Sequence, residues 1–219
     1  MKKVPAIFSL LTYTPSKLRR VDFVADDYIK NVSVIKQAEQ SARGTSERIE
    51  IRSLDSKTPD QFRDRVLKNP DNKSRIVELI FEYITEDRAS VMKIHDVDEI
   101  NLSAEGQCRQ VTIEGVTPNE NLHSNQPEAD TRVILHAVDA LQRTDSDITI
   151  ISPSGDTDII VLVIAHLWEY KERVAIVNGS GKNRNVYKLG DVEIEGDIRS
   201  TIIGLHAFTG YVFFIIIII

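Results

Sequence analysis

Apolar residues in the second half of the chain fall into short runs that alternate with helical patterns. Runs over 148–151 and 174–177 predict two buried strands, and the spacing over 127–141 predicts a helix with one apolar side. The segment 159–167 is apolar on nearly all sides, so we expect a buried helix or strand there. Continuous apolar strands that alternate with helices are typical of a parallel sheet covered on both faces. The pattern therefore predicts the α/β class.

The first half carries fewer signals. Apolar residues at helical spacing predict a helix over 73–85, and a short strand is expected over 21–25. Two further runs, 100–103 and 109–113, predict strands joined through Glu105-Gly106. The remaining predicted elements are a helix that starts at Thr58 and stops at Asn69-Pro70, a surface hairpin of 186–189 and 192–195, and a helix over 197–203.

Length and composition fit a folded chain. Its 219 residues can bury a core, and a hydrophobic share of 42% is typical of globular rather than disordered proteins. The single cysteine, Cys108, excludes an internal disulfide and favours a reducing, intracellular compartment.

The net charge of −6 argues against a generally basic nucleic-acid-binding protein, but the charge is unevenly distributed. Residues 1–75 hold 16 Lys and Arg against 10 Asp and Glu, whereas residues 76–219 hold 11 against 23. A basic part beside an acidic part suits a protein that binds phosphates with one and divalent metal ions with the other. An ordinary uneven surface is the alternative explanation.

Three acidic pairs fall where predicted elements begin or end. Ligands of parallel α/β sheets collect at the carboxyl ends of strands, so carboxylates delivered there are expected to converge. Converging carboxylates repel one another unless a cation such as Mg²⁺ or Mn²⁺ holds them. Each pair by itself also fits a structural role as helix cap, first-turn acid or turn residue. The pairs are Asp26 and Asp27, Glu128 and Asp130, and Asp156 and Asp158.

The order and spacing of these acids and their neighbours resemble a group of PIN-like proteins. That group is present in many copies in animal genomes, is associated with mobile elements, and is similar in turn to flap endonucleases. The resemblance covers roughly residues 18–210 and is specific as an ordered set. The motifs are Phe23-Val-Ala-Asp26-Asp-Tyr28, Ser33-Val-Ile-Lys36, Arg43-Gly44, Glu128-Ala-Asp130-Thr-Arg132, Leu135-His-Ala137, Ile150-Ile-Ser-x-x-x-Asp156-Thr-Asp158, and Gly204-Leu-His-Ala-Phe-Thr-Gly210.

This resemblance implies a single PIN-like domain over residues 1–210, with three layers, a central mainly parallel sheet and helices on both faces. It implies a divalent-metal-dependent nuclease that uses one or two Mg²⁺ or Mn²⁺ ions on nucleic acid, DNA more than RNA, in the nucleus rather than the cytoplasm. Lys36 and Arg43 would meet substrate phosphate, and His206 would lie beside the metal ligands. The implied catalytic and metal-binding residues are Asp26, Glu128, Asp130, Asp156 and Asp158.

Several positions depart from the group's pattern. Tyr211 and Val212 stand where the group has Cys-Asp, and residues 1–20 contain no acid although flap endonucleases take one from an earlier strand. The inserted Ser154 and Gly155 lengthen the turn before Asp156. The predicted nuclease is therefore truncated and impaired, with an anomalous apolar tail over 211–219. The alternatives are a non-catalytic nucleic-acid-binding or protein-interaction module on the same fold, and a non-functional fragment.

Overall fold

The computed structural model describes residues 18–28, 48–53, 66–179 and 181–209. The chain divides into two compact units, with the boundary between Ala129 and Asp130. The single domain predicted over residues 1–210 stays a prediction.

The first unit contains a four-stranded sheet in the order β1-β2-β3-β4. Strand β1 pairs with β2 in parallel, and the other two pairs are antiparallel. The buried side chains that pack on this sheet and its helices include Ile84, Val91, Ile100, Leu102 and Val111. The elements are β1 (Leu18–Val24), α1 (Pro70–Glu86), α2 (Arg88–His95), β2 (Val97–Ala104), β3 (Gln107–Val111) and β4 (Val116–Pro118).

Helix α1 begins at Pro70 because the preceding residue caps it. The Asn69 side-chain oxygen accepts hydrogen bonds from the backbone N–H groups of Asp71 (2.9 Å) and Asn72 (3.3 Å). Pro70 suits the first helical position, where its missing N–H has no intrahelical partner to lose. Asn69-Pro70 therefore starts a helix. The predicted helix from Thr58 to Asn69-Pro70 involves residues before 66, which lie outside the described residues.

A buried polar network lies where β1 pairs with β2. Asn101, fully buried on β2, donates to Asp22 Oδ1 (3.0 Å) and to Glu99 Oε1 (2.7 Å). Its own oxygen accepts a bond from Asn119 Nδ2 (3.1 Å). The Arg20 guanidinium donates hydrogen bonds to both carboxylate oxygens of Asp22, at 2.8 and 2.6 Å. Because buried amides and charges are costly without partners, this network specifies the β1–β2 register.

The second unit contains a three-stranded sheet in the order β5-β6-β7. Strands β5 and β6 are parallel, and β7 runs antiparallel to β6. Parallel neighbours require a crossover, which α4 and a following 3₁₀ helix (Trp168–Arg173) supply here. The elements are α3 (Ala129–Arg143, which starts at the last residue of the first unit), β5 (Ile148–Ser152), α4 (Asp158–His166), β6 (Val174–Asn178), β7 (Asn185–Lys188) and α5 (Gly196–Thr209).

The apolar segment 159–167 forms a buried helix. Ile159, Val163, Ile164 and Leu167 are each at most 1% exposed and pack in the core of the second unit with β5, β6 and α3. A helix that is apolar all round is stable only when it is buried on most sides. The core of this unit therefore depends on α4.

The α/β class is confirmed, whereas the central, mainly parallel sheet is not. Among the described strands, the one over 21–25 lies in a different sheet from those over 148–151 and 174–177. Each sheet contains one parallel pair only. The sequence pattern identified the strands but carried no information on their partners, because neighbouring hairpin strands pair as readily as strands joined by crossovers.

The predicted hairpin of 186–189 and 192–195 is wrong. Strand β7 pairs with β6, and residues 192–195 form no strand. Between them lies a 3₁₀ turn, Leu189–Asp191, whose Leu189 is buried in the core together with Val192. Burial of these two apolar side chains turns the chain away from a hairpin. Helix α2 and strand β4 carried no signal in the sequence pattern.

Within the described residues, no helix combines the length and the apolarity needed to cross a membrane.

We expect Asn69→Ala to lower the free energy of unfolding by about 1 kcal/mol, because two backbone N–H groups of α1 lose their acceptor. Asn69→Asp, which keeps a capping oxygen, should lose little. Chemical denaturation measures the difference, and Asn125→Ala in an exposed loop is the control. Equal losses of stability in Asn69→Ala and Asn125→Ala would contradict the capping role of Asn69.

Gly179→Ala should destabilise the second unit by about 2–4 kcal/mol. Gly179 has φ +85°, and a Cβ there would collide with the carbonyl oxygen of Asn183. Gly204 lies within α5 with nothing near its would-be Cβ, so Gly204→Ala should stabilise by about 0.5–1 kcal/mol. Thermal unfolding distinguishes the opposite signs, and a neutral Gly179→Ala would show that this turn adapts.

Candidate metal centre

The turn after β5 presents two acids at the carboxyl end of that strand. Gly155 adopts φ +78°, a conformation that favours glycine, and its N–H donates back to the Ser152 carbonyl (3.4 Å). The Asp156 N–H donates to Ser154 Oγ at 3.3 Å. The Asp158 N–H donates to Asp156 Oδ1 at 3.1 Å, so Asp156 satisfies the first N–H group of α4. The inserted Ser154 and Gly155 therefore shape the turn that positions both acids.

A third acid meets this pair from another helix. Asp130 lies in the first turn of α3. One carboxylate oxygen of Asp130, one of Asp156 and one of Asp158 all lie within 4.8 Å of one another. Asp130 is half-buried, whereas Asp156 and Asp158 are exposed. Three of the five predicted metal ligands are thus brought together in the second unit.

The spacing of these oxygens suits a single hard cation. Mg²⁺ holds oxygen ligands at about 2.1 Å, so opposite ligands lie about 4.2 Å apart, and Ca²⁺ allows about 5 Å. Separations of up to 4.8 Å lie within reach of that geometry after small side-chain rotations. Carboxylates are the donors that Mg²⁺ and Mn²⁺ prefer, and no thiolate is present in the cluster. The donor set therefore fits the predicted ion.

Protein groups already offset part of the charge repulsion in the cluster. His206 Nε2 lies 2.9 Å from Asp158 Oδ1, and the two side chains are 27% and 55% exposed. Asp130 and Asp158 each lie in the first turn of a helix, where the helix dipole favours an anion. The contact of His206 agrees with its expected place beside the acids. It orients the Asp158 carboxylate.

Asp26 and Glu128 belong to the first unit. Asp26 Oδ1 accepts the N–H of Ala129 at 2.8 Å and so caps the first residue of α3. The neighbouring Asp27 is fully buried, and its N–H donates to the Pro127 carbonyl (2.9 Å). Glu128 is exposed. Their part in a common site stays a prediction.

The residues predicted to meet substrate phosphate, Lys36 and Arg43, lie outside the described residues. The same holds for Tyr211 and Val212, which replace the group's last acid. Arg132, a residue of the same motif, is 1% exposed within α3. It lies two positions after Asp130.

The Asp130–Asp156–Asp158 cluster has the donor chemistry of a hard-cation site, which occurs both in metal-dependent hydrolases and in binding proteins. The assignment of function rests on this chemistry and on the order of the motifs. Comparison of the chain with protein-family models, curated proteins and solved structures finds no match.

Proposed function

We propose that the Asp130–Asp156–Asp158 cluster binds one Mg²⁺ or Mn²⁺ ion and that the chain is a nuclease-type domain of PIN-like architecture, impaired in phosphodiester hydrolysis. The observation that carries the proposal is the approach of three carboxylate oxygens to within 4.8 Å. Carboxylates at that distance repel one another, and a bound cation would stabilise the group.

The position of the cluster supports a site for a phosphate-containing ligand. Asp156 and Asp158 follow the carboxyl end of β5, next to the parallel strand β6, which is where ligands of α/β sheets bind. The order of the motifs extends the proposal to a PIN-like domain with three layers and a central sheet.

In this proposal a bound ion supplies Lewis-acid chemistry, polarising a phosphoryl oxygen and activating water. The protein supplies the rest. Asp130, Asp156 and Asp158 provide the negative charge that holds the cation. His206 fixes the orientation of the Asp158 carboxylate through their 2.9 Å contact. The turn at Gly155 holds Asp156 against the start of α4, so that the ligands lie close to their binding positions before the ion binds.

Impairment follows from the ligands that the chain lacks. Two-ion hydrolysis places one ion on the attacking water and another on the leaving oxygen. Val212 stands where the group has an acid, and residues 1–20 contain none. A second ion would therefore be poorly coordinated, so slow or absent cleavage is expected.

A non-catalytic nucleic-acid-binding or protein-interaction module on the same fold is the second candidate. One observation favours it, namely that two predicted ligands already have protein partners. Asp26 caps α3 through the Ala129 N–H, and Asp158 is paired with His206. Carboxylates used in this way stabilise the fold without an ion.

We expect Asp156→Asn to weaken Mn²⁺ binding by about ten-fold or more, because it removes one of three charged ligands without changing the size of the side chain. Isothermal calorimetry or the Mn²⁺ spin-resonance signal measures the affinity. Asp147→Asn, in an exposed segment of the same unit outside the cluster, should change it by less than about two-fold. Equal losses would show diffuse attraction rather than a site.

For activity, we expect the chain to cleave single-stranded or flap DNA poorly in Mg²⁺ or Mn²⁺, with any residual cleavage abolished by Asp156→Ala. The reason is the under-coordinated second ion. Gel assays of labelled DNA test this. Robust Mg²⁺-dependent cleavage lost in Asp156→Ala would contradict impairment while supporting the site. Cation binding without cleavage favours the non-catalytic module.

A further inference from the structure

A groove of about 420 Å³ opens in the second unit between the end of α4 and the start of α5. Its volume is in the range of small-molecule sites and suits a ligand of about one nucleotide. The sequence pattern gave no reason to single it out. The groove is lined in part by Ala165, His166, Trp168, Arg199, Ser200 and Ile203.

The groove combines one aromatic ring with cationic side chains. The guanidinium carbon of Arg199 lies 5.4 Å from the centre of the Trp168 ring, and Lys171 Nζ lies at the same distance. Lys171 is also 3.6 Å from a Glu172 oxygen, and Glu169 lines the groove as well. Arg199 is therefore the better phosphate donor, because its planar fork of N–H groups matches phosphate oxygens. The Trp168 ring is half-buried against the core of the unit, and a base that stacks on it takes the place of the Lys171 ammonium over the ring.

The two helices that form the groove also carry the acid cluster. Asp158 and Ala165 are seven residues apart on α4, and Arg199 and His206 are seven residues apart on α5. Seven residues make about two helical turns, so each pair shares a helix face over roughly 10 Å. Asp158 contacts His206, while Ala165 and Arg199 line the groove, so the helices run antiparallel. The contact between α4 and α5 therefore extends from the acid cluster to the groove.

We infer that this groove binds single-stranded nucleic acid, with a base stacked on Trp168 and a phosphate on Arg199. A strand that follows the contact between α4 and α5 from the groove reaches the acid cluster after about three nucleotides, at a stacked rise of ~3.4 Å. Its place along a cleavage path rests on the proposed function, but binding at the groove does not require a metal ion.

The overall charge of this unit makes the test specific. Residues 130–219 hold 8 Lys and Arg against 12 Asp and Glu, so general attraction for phosphates is weak. Affinity must then come from local contacts at Trp168 and Arg199. A free nucleotide shares this chemistry, so oligonucleotide and mononucleotide are compared directly.

The experiment uses the full chain in EDTA with an eight-residue oligothymidylate. Trp168 is the only tryptophan, so quenching of its fluorescence reports on the groove. We expect saturable quenching by the oligonucleotide and weaker binding of thymidine monophosphate. No quenching, or equal affinity for the mononucleotide, overturns the strand proposal.

Variants separate stacking from phosphate contact, with affinity measured by anisotropy of a labelled oligonucleotide. Trp168→Ala should weaken binding about ten-fold or more with an unchanged salt dependence, and Trp168→Phe should retain most of the affinity. Arg199→Ala should weaken binding and reduce the slope of log K against log salt by about 0.7, the value for one single-strand phosphate.

Arg143→Ala is the matched control, because it removes the same charge from an α3 residue outside the groove, paired with Asp139. It should change neither affinity nor slope. An Arg143→Ala effect equal to that of Arg199→Ala overturns the groove. If the unmodified chain binds the oligonucleotide in EDTA but binds no Mn²⁺, only the proposed metal function is overturned; if it binds Mn²⁺ but not the oligonucleotide, only the groove is overturned.

Discussion

Three carboxylate oxygens within 4.8 Å of one another impose the main constraint on the second unit. Like charges at that distance destabilise a fold unless something compensates them. Part of the compensation comes from the two helix N-termini at which Asp130 and Asp158 lie. Asp158 also contacts His206 at 2.9 Å. In the proposed site, a divalent cation supplies the rest.

The cluster exists because the ends of β5 and β6 are tied together. The Gly179 N–H at the end of β6 donates to the Ser152 carbonyl at 2.9 Å, and Gly155 folds the turn back onto the same oxygen. This leaves Asp156 to receive the Asp158 N–H and to start α4. The parallel β5–β6 pair therefore does more than build a core, because its carboxyl end sets the position of two of the three acids.

Helix α5 links the acids to a second chemical feature. His206 near its end contacts Asp158, and Arg199 near its start lies over Trp168. Both residues share one face of α5 because seven residues make about two turns. Arg199, the proposed phosphate donor, and His206, which contacts Asp158, are thereby held on the same helix, which positions functional groups better than a loop does.

Local patterns in the sequence determined the elements that depend on short-range chemistry. The helix near 73–85, the strands over 148–151 and 174–177, and the acids that begin α3 and α4 all follow from periodicity and helix-terminus preferences. The pairing of strands was decided by tertiary structure. The strand over 21–25 joined β2 in its own sheet, and β7 joined β6 instead of forming a hairpin, because buried Leu189 and Val192 redirect the chain. The convergence of Asp130 with Asp156 and Asp158 could be expected from the order of the motifs. The Trp168–Arg199 groove could not be expected from the sequence. Its residues come from elements 31 positions apart, and only the packing of α5 against α4 brings them together.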